Sequence, residues 1–293
     1  AEIEATFSPE LEALAVKSNA TCRQVMDRLT RQYDGYRFTK DEEFTSMYNP
    51  FSVLSALQKR SYGNYWFASG TPTFLVEMLQ KTDFDLREME GIEVNEASLS
   101  DDRADINNPI PMIYQSGYLT IKDYDERFRM YTLGFPNEEV KYGFLNFVSP
   151  FYTPIAQTDT SFYIGKFIRE LESGDVDAFL TRLRCFFAGI PYDLNDRTER
   201  HYQTVFYLVF QLMGQFTETE VRSARGRADA VVKTPDYIYV FEFKLNDSAE
   251  AALRQIDEKG YLLPYQADGR KVVKVGVAFE KEERNIGEWV IGE

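Results

Sequence analysis

Apolar residues recur three and four apart over the first sixty positions, which is the period of a helix buried on one side. Leu11, Leu14 and Val16 follow Ser8-Pro9-Glu10, so a helix is expected to start there, with serine as the cap and proline in the first turn. Cys22, Val25, Met26 and Leu29 predict a second helix over Ala20–Gln32, with Cys22 on its core stripe. Asn49-Pro50 opens a third helix to Lys59, and Thr71-Pro72 a fourth over Thr73–Lys81. From Pro109 the period shortens to two. Tyr118–Lys122 and Arg127–Leu133 alternate on either side of Asp123–Glu126, a hairpin pattern. Asn137 then caps a helix over Glu138–Phe147.

Helices followed by a hairpin suggest a winged-helix-like arrangement for residues 1–150. The segment Ser149–Ser161, with Pro150 and Pro154, reads as a linker to a second domain over 161–293. In that domain helices are expected near 162–172, 175–188 and 197–214. Strands follow at Thr219–Ser223, Ala228–Val232 and Tyr237–Leu245, with a turn at 233–236. A helix over Ser248–Tyr261, for which Asp247 and Glu250 have capping-box spacing, and a strand over Lys271–Phe279 complete the order. This is an α/β sandwich whose middle strands are buried on both faces.

Composition narrows the chemistry. The 293 residues are enough for two cores. With 33 basic against 47 acidic side chains, the net charge of −14 argues against a general nucleic-acid coat, which needs clustered positive charge. The charge is uneven, however: residues 161–293 hold 18 basic and 22 acidic side chains, and Arg222, Arg225 and Arg227 fall close together. A single histidine, His201, excludes a multi-His metal site, and no serine or cysteine partner for it is evident. Cys22 and Cys185 are too few for a zinc site or a disulfide framework, and both are expected to be buried thiols. No apolar run nears the roughly 20 residues of a membrane span, and no signal-peptide pattern opens the chain, so a cytoplasmic location is expected.

One segment carries chemistry. Glu242 and Lys244 lie in an otherwise apolar strand, where an unpaired charge costs several kcal/mol. Two apart, they share one sheet face, and Phe241 and Phe243 take the other. With a turn at 233–236, Asp229 pairs near position 240 and shares the face of Glu242. Two carboxylates and an ammonium then meet at the open end of a hairpin. Such hard oxygen donors suit Mg²⁺ or Mn²⁺.

Asp229, a hairpin, then Glu242-Phe-Lys244 resembles the signature of the PD-(D/E)XK nuclease superfamily. Gly226-Arg-Ala-Asp229, Glu242-Phe-Lys-Leu245 and Ala252-Leu-Arg-Gln-Ile256 with Lys259-Gly-Tyr261 are similar to the branch at the C-terminus of bacterial AAA-ATPase-like proteins. Tyr33-Asp-Gly-Tyr-Arg-Phe38, Tyr48-Asn-Pro-Phe51, Asn64–Thr73 and Gly117–Lys122 resemble the region after the ATPase core of that family. The resemblance implies an α-β-β-β-α-β restriction-endonuclease-like core, with Asp229 and Glu242 as Mg²⁺ or Mn²⁺ ligands and Lys244 as the catalytic lysine. It implies a supporting role for Gln255 and a third acid at Glu199, for which Glu218 and Glu220 compete. Apart from the resemblance, Arg225 and Arg227 are candidates to touch substrate phosphate, although a salt bridge to Glu218 or Glu220 would account for them equally well. The expected activity is hydrolysis of phosphodiester bonds, in DNA, by activated water. The alternative is an inactive module of the same fold that binds nucleic acid or a protein partner. The family's phosphate-binding loop G-x-x-x-x-G-K-[ST] is absent, so the chain reads as the C-terminal portion of a longer protein that carries the ATPase portion elsewhere.

Overall fold

The structure is a computed structural model. It describes residues 2–41, 44–69, 75, 78–79, 84–100, 108–153, 156, 159–190, 199–221, 229–245, 247–280, 282–283 and 285–292. The chain divides into two compact units, residues 1–144 and 145–293.

The first unit opens with α1 (Glu2–Thr6), α2 (Ser8–Ser18), α3 (Cys22–Tyr33) and α4 (Pro50–Lys59). The cap of α2 is Phe7 rather than Ser8, because α1 runs directly into it and the Phe7 N–H already donates to Ile3. Thr21 and Gln24 open α3 with a capping box. Asn49 caps α4, its side chain accepting from the Ser52 N–H at 3.2 Å. Leu11, Leu14, Val25, Leu29, Tyr33, Val53, Ala56 and Leu57 form the core between the three longer helices. Cys22 is exposed, contrary to expectation. It stands first in α3, and the buried stripe of that helix is Val25, Leu29 and Tyr33. Of the helix expected over Thr73–Lys81, all but Leu75, Met78 and Leu79 lies outside the described residues.

The rest of this unit comprises β1 (Ile92–Asn95), α5 (Glu96–Ser100), α6 (Ile110–Gln115), β2 (Thr120–Asp125), β3 (Met130–Gly134) and the start of α7 (Glu138–Val148). The β2–β3 hairpin turns over 126–129, later than the pattern suggests. The outer half of β2 faces solvent and tolerates Asp123 and Asp125, and Asp125 accepts from the Phe128 N–H to tie the turn. Strand β1 pairs with β3, making a three-stranded sheet of order β1-β3-β2.

The second unit contains α8 (Thr160–Glu172), α9 (Val176–Ala188), α10 (Glu199–Met213), β4 (Glu218–Val221), β5 (Ala230–Lys233), β6 (Tyr237–Lys244), α11 (Ala249–Glu258), β7 (Lys271–Glu280) and β8 (Asn285–Gly292). The sheet order is β4-β5-β6-β7-β8, with β6–β7 parallel and the other pairs antiparallel. Phe241 and Phe243 point to one face, onto Phe179 of α9 and Phe206 and Phe210 of α10. Burying a ring such as Phe241 contributes about 1.5–3 kcal/mol. Helix α11 covers the other face, where Ile256 packs with Val231, Ile238 and Val240. Strand β8 was not expected: Asn285–Gly292 carries two glycines and no clean alternation. The cap of α11 is Ser248, whose hydroxyl accepts from the Ala251 N–H at 3.2 Å, and Asp247 instead accepts from the Ser248 N–H. Cys185 is exposed, because α9 buries Phe179, Leu180, Leu183, Phe186 and Phe187. Among the described residues, no helix is long and apolar enough to cross a membrane.

Candidate active site

The hairpin of β5 and β6 sets the geometry. Thr234 and Tyr237 close its turn through the Thr234 N–H to Tyr237 carbonyl bond at 2.8 Å. Ala230 then pairs with Phe241 and Val231 with Val240. Continued one step, this register sets Asp229 opposite Glu242, not near position 240. The error of two residues leaves parity intact, so Asp229 and Glu242 still share the face that α11 covers. Beyond the last β5–β6 pair, the Phe243 N–H donates to Asp229 Oδ2 at 2.9 Å, which anchors the carboxylate at the mouth of the hairpin.

Four of the expected residues come together here. Lys244 Nζ lies 3.3 Å from Glu242 Oε1 and donates to Gln255 Oε1 at 2.5 Å. Gln255 Nε2 donates to Glu242 Oε1 and lies 3.5 Å from the Tyr261 hydroxyl. The amide is thereby oriented, its oxygen to the ammonium and its nitrogen to the carboxylate, an arrangement a glutamate could not reproduce. Glu242 is 3% exposed, and its Oε2 is buried without a hydrogen-bond partner among the described residues. Burial, reinforced by the negative charge of Asp229 and opposed by Lys244, pushes the Glu242 carboxyl up to about 7. Burial also raises Asp229, against the Phe243 N–H and Lys244. Two desolvated carboxylates thus stand side by side, the charge of Asp229 raising Glu242 further, and one oxygen is left without a partner among the described residues.

The other candidates are placed differently. Glu199 begins α10, and its side chain lies outside the described residues, as do Arg225 and Arg227. Glu218 and Glu220 on β4 both reach Lys233, at 3.3 and 3.6 Å, toward the turn end of the hairpin. Sequence reasoning missed the floor of the site. Gly276 of β7 is paired with Glu242, and Ala278 with Lys244. Glu288 of β8, paired with Ala278, accepts from the Ala249 N–H at 3.4 Å where α11 begins.

Residues 197–289 match the PD-(D/E)XK nuclease superfamily. That match spans Asp229, Glu242, Lys244 and Gln255, and the mixed α/β architecture of the second unit is consistent with the superfamily fold. Over 299 aligned positions the chain is 31% identical to a protein of Azotobacter chroococcum mcd 1 named "Uncharacterized protein in vnfD 5'region". The alignment covers 99% of this chain and 55% of that protein, so the chain spans about half the length of this relative. No solved structure matches.

Proposed function

We propose that the second unit is a metal-dependent nuclease that hydrolyses phosphodiester bonds of DNA. The observation that supports this most is the buried Glu242 carboxylate, whose Oε2 has no hydrogen-bond partner among the described residues and whose Oε1 lies 3.3 Å from Lys244 Nζ, opposite Asp229. Asp229 and Glu242 would hold the divalent cation, and their hard oxygen donors suit Mg²⁺ or Mn²⁺. Bound there, the cation would lower the pKa of a water and stabilise charge on a phosphoryl oxygen. Lys244 orients the attacking water and donates to the pentavalent phosphorus centre as negative charge builds on its oxygens. Gln255 holds the Lys244 ammonium in position and occupies Glu242 Oε1, leaving Oε2 for the cation. Arg227, two positions before Asp229, contacts the substrate phosphate, and Glu199 supplies the third acid. An ATPase portion in the longer protein, which the sequence resemblance implies, belongs to the same reading.

The test is a cleavage panel of linear, circular, single-stranded and branched DNA with Mg²⁺, with Mn²⁺ and with chelator. Cleavage that needs the cation and disappears in Lys244→Ala supports the proposal. Equal cleavage by Lys244→Ala overturns the residue assignment. Cation binding by calorimetry with no cleavage of any substrate points to the inactive binding module instead.

A further inference from the structure

Gly276 has no conformational reason to be glycine, since its φ is outside the left-handed region. The reason is space. A Cβ at this position would lie 2.2 Å from the Ala249 carbonyl oxygen and 2.8 Å from the Leu253 nitrogen. Those two atoms are four residues apart in α11, the spacing of the acceptor and donor of one helical hydrogen bond. Both belong to the backbone, so no side-chain rotation could make room, and the helix itself would have to rise by roughly 1 Å. The rest of the contact is equally lean: Ala249 and Ala252 are wholly buried on the sheet-facing side of α11. At Gly292 on β8 the neighbours are side chains only, with Lys274 Cε 3.1 Å and Leu253 Cδ2 3.3 Å from where its Cβ would be. Helix α11 therefore lies very low on β7.

That depth reaches the site. Gln255 is six residues beyond Ala249 on the same helix, and its oxygen lies 2.5 Å from Lys244 Nζ. We infer that Gly276 is a positioning residue: by letting the α11 backbone rest on β7, it sets the depth at which the Gln255 amide meets Lys244 and Glu242. Its consequence for catalysis rests on the nuclease reading above, whereas the placement of Gln255 does not.

The experiment follows the Gln255 side-chain amide by NMR in the metal-free full chain, assigned by its absence in Gln255→Ala. In Gly276→Ala the amide is expected to lose its exchange protection and move to the position of an unbonded glutamine, while circular dichroism stays unchanged. If Gly276→Ala does not fold, Ala252→Val lifts the same helix from the same surface and must give the same amide shift. In cleavage assays kcat should fall about 100-fold, the size of effect that a misplacement near 1 Å can produce, with KM unchanged. The Gly276→Ala, Gln255→Ala double variant should be no slower than Gln255→Ala alone, since both changes remove one interaction. A protected, unshifted amide in a folded Gly276→Ala protein overturns the inference. So do losses that multiply in the double variant. No cleavage by the wild-type chain, together with the expected amide change in Gly276→Ala, counts against the nuclease reading and for the role of Gly276.

Discussion

Each unit buries a glutamate, and the two stand in different electrostatic surroundings. Glu139 in α7 is 1% exposed, and Glu242 in β6 is 3% exposed. Burial pushes both carboxyls above their ordinary range. Glu139 Oε1 accepts from the Trp66 N–H at 3.0 Å, while its Oε2, like Glu242 Oε2, is buried without a hydrogen-bond partner among the described residues. Around it runs a framework of rings, Trp66 on Tyr118 and Tyr118 on Phe144. Glu242 instead faces a second carboxylate and an ammonium. Burial alone therefore does not mark a reactive centre. What separates the two is that a second carboxylate and an ammonium act on Glu242, whereas hydrogen-bond donors alone act on Glu139.

The largest effect that would break this comparison is on rate. Asp229→Ala should reduce cleavage by about a thousandfold while the far-ultraviolet circular dichroism is preserved. Glu139→Gln should cleave at the wild-type rate per folded molecule. Comparable losses in both would erase the distinction.

Next comes the pH dependence of stability without metal. Glu242 has a folded pKa raised from 4.5 to about 7, so its proton is bound more tightly in the folded state. The resulting stability is fully present below pH 4.5 and is lost as pH rises through 7, amounting to at most about 3 kcal/mol. Asp229 acts in the same direction. Urea midpoints of the second unit in chelator should fall between pH 5 and pH 8, and Glu242→Gln should flatten that fall.

A divalent cation should reverse that fall. At a hundred times its Kd it stabilises by about 2.7 kcal/mol, read as a rise in the unfolding temperature at pH 8. Glu242→Ala should abolish the rise, and Glu139→Ala should keep it. The smallest effect belongs to Glu139 itself. Its replacement by alanine leaves the half-buried Trp66 N–H without its acceptor and should cost about 1–3 kcal/mol, seen in the urea transition of the first unit alone.

The candidate site was more legible in the sequence than much of the fold. Period-two parity puts Glu242 and Lys244 on one face whatever the details of the turn, and a short hairpin brings Asp229 close under any register of the same parity. The register itself was not legible, because Thr234 and Tyr237 tighten the turn by more than the pattern of Lys233–Asp236 implies. Strand β1 has one buried residue, Val94, and so carries almost no hydrophobic signal. Glu139 reads as an ordinary acid in the first turn of a helix, and only tertiary packing encloses it. Gly276 was invisible for a related reason: its importance lies in the backbone of a helix more than twenty residues earlier. Cys22 and Cys185 misled because each stands next to an apolar stripe without belonging to it.

The outward position of those two sulfurs has a practical consequence. Each compact unit comes with its own native attachment point for maleimide dyes or spin labels, and neither label would have to enter a core. Spectroscopy on substrate encounter could therefore begin with the unaltered chain.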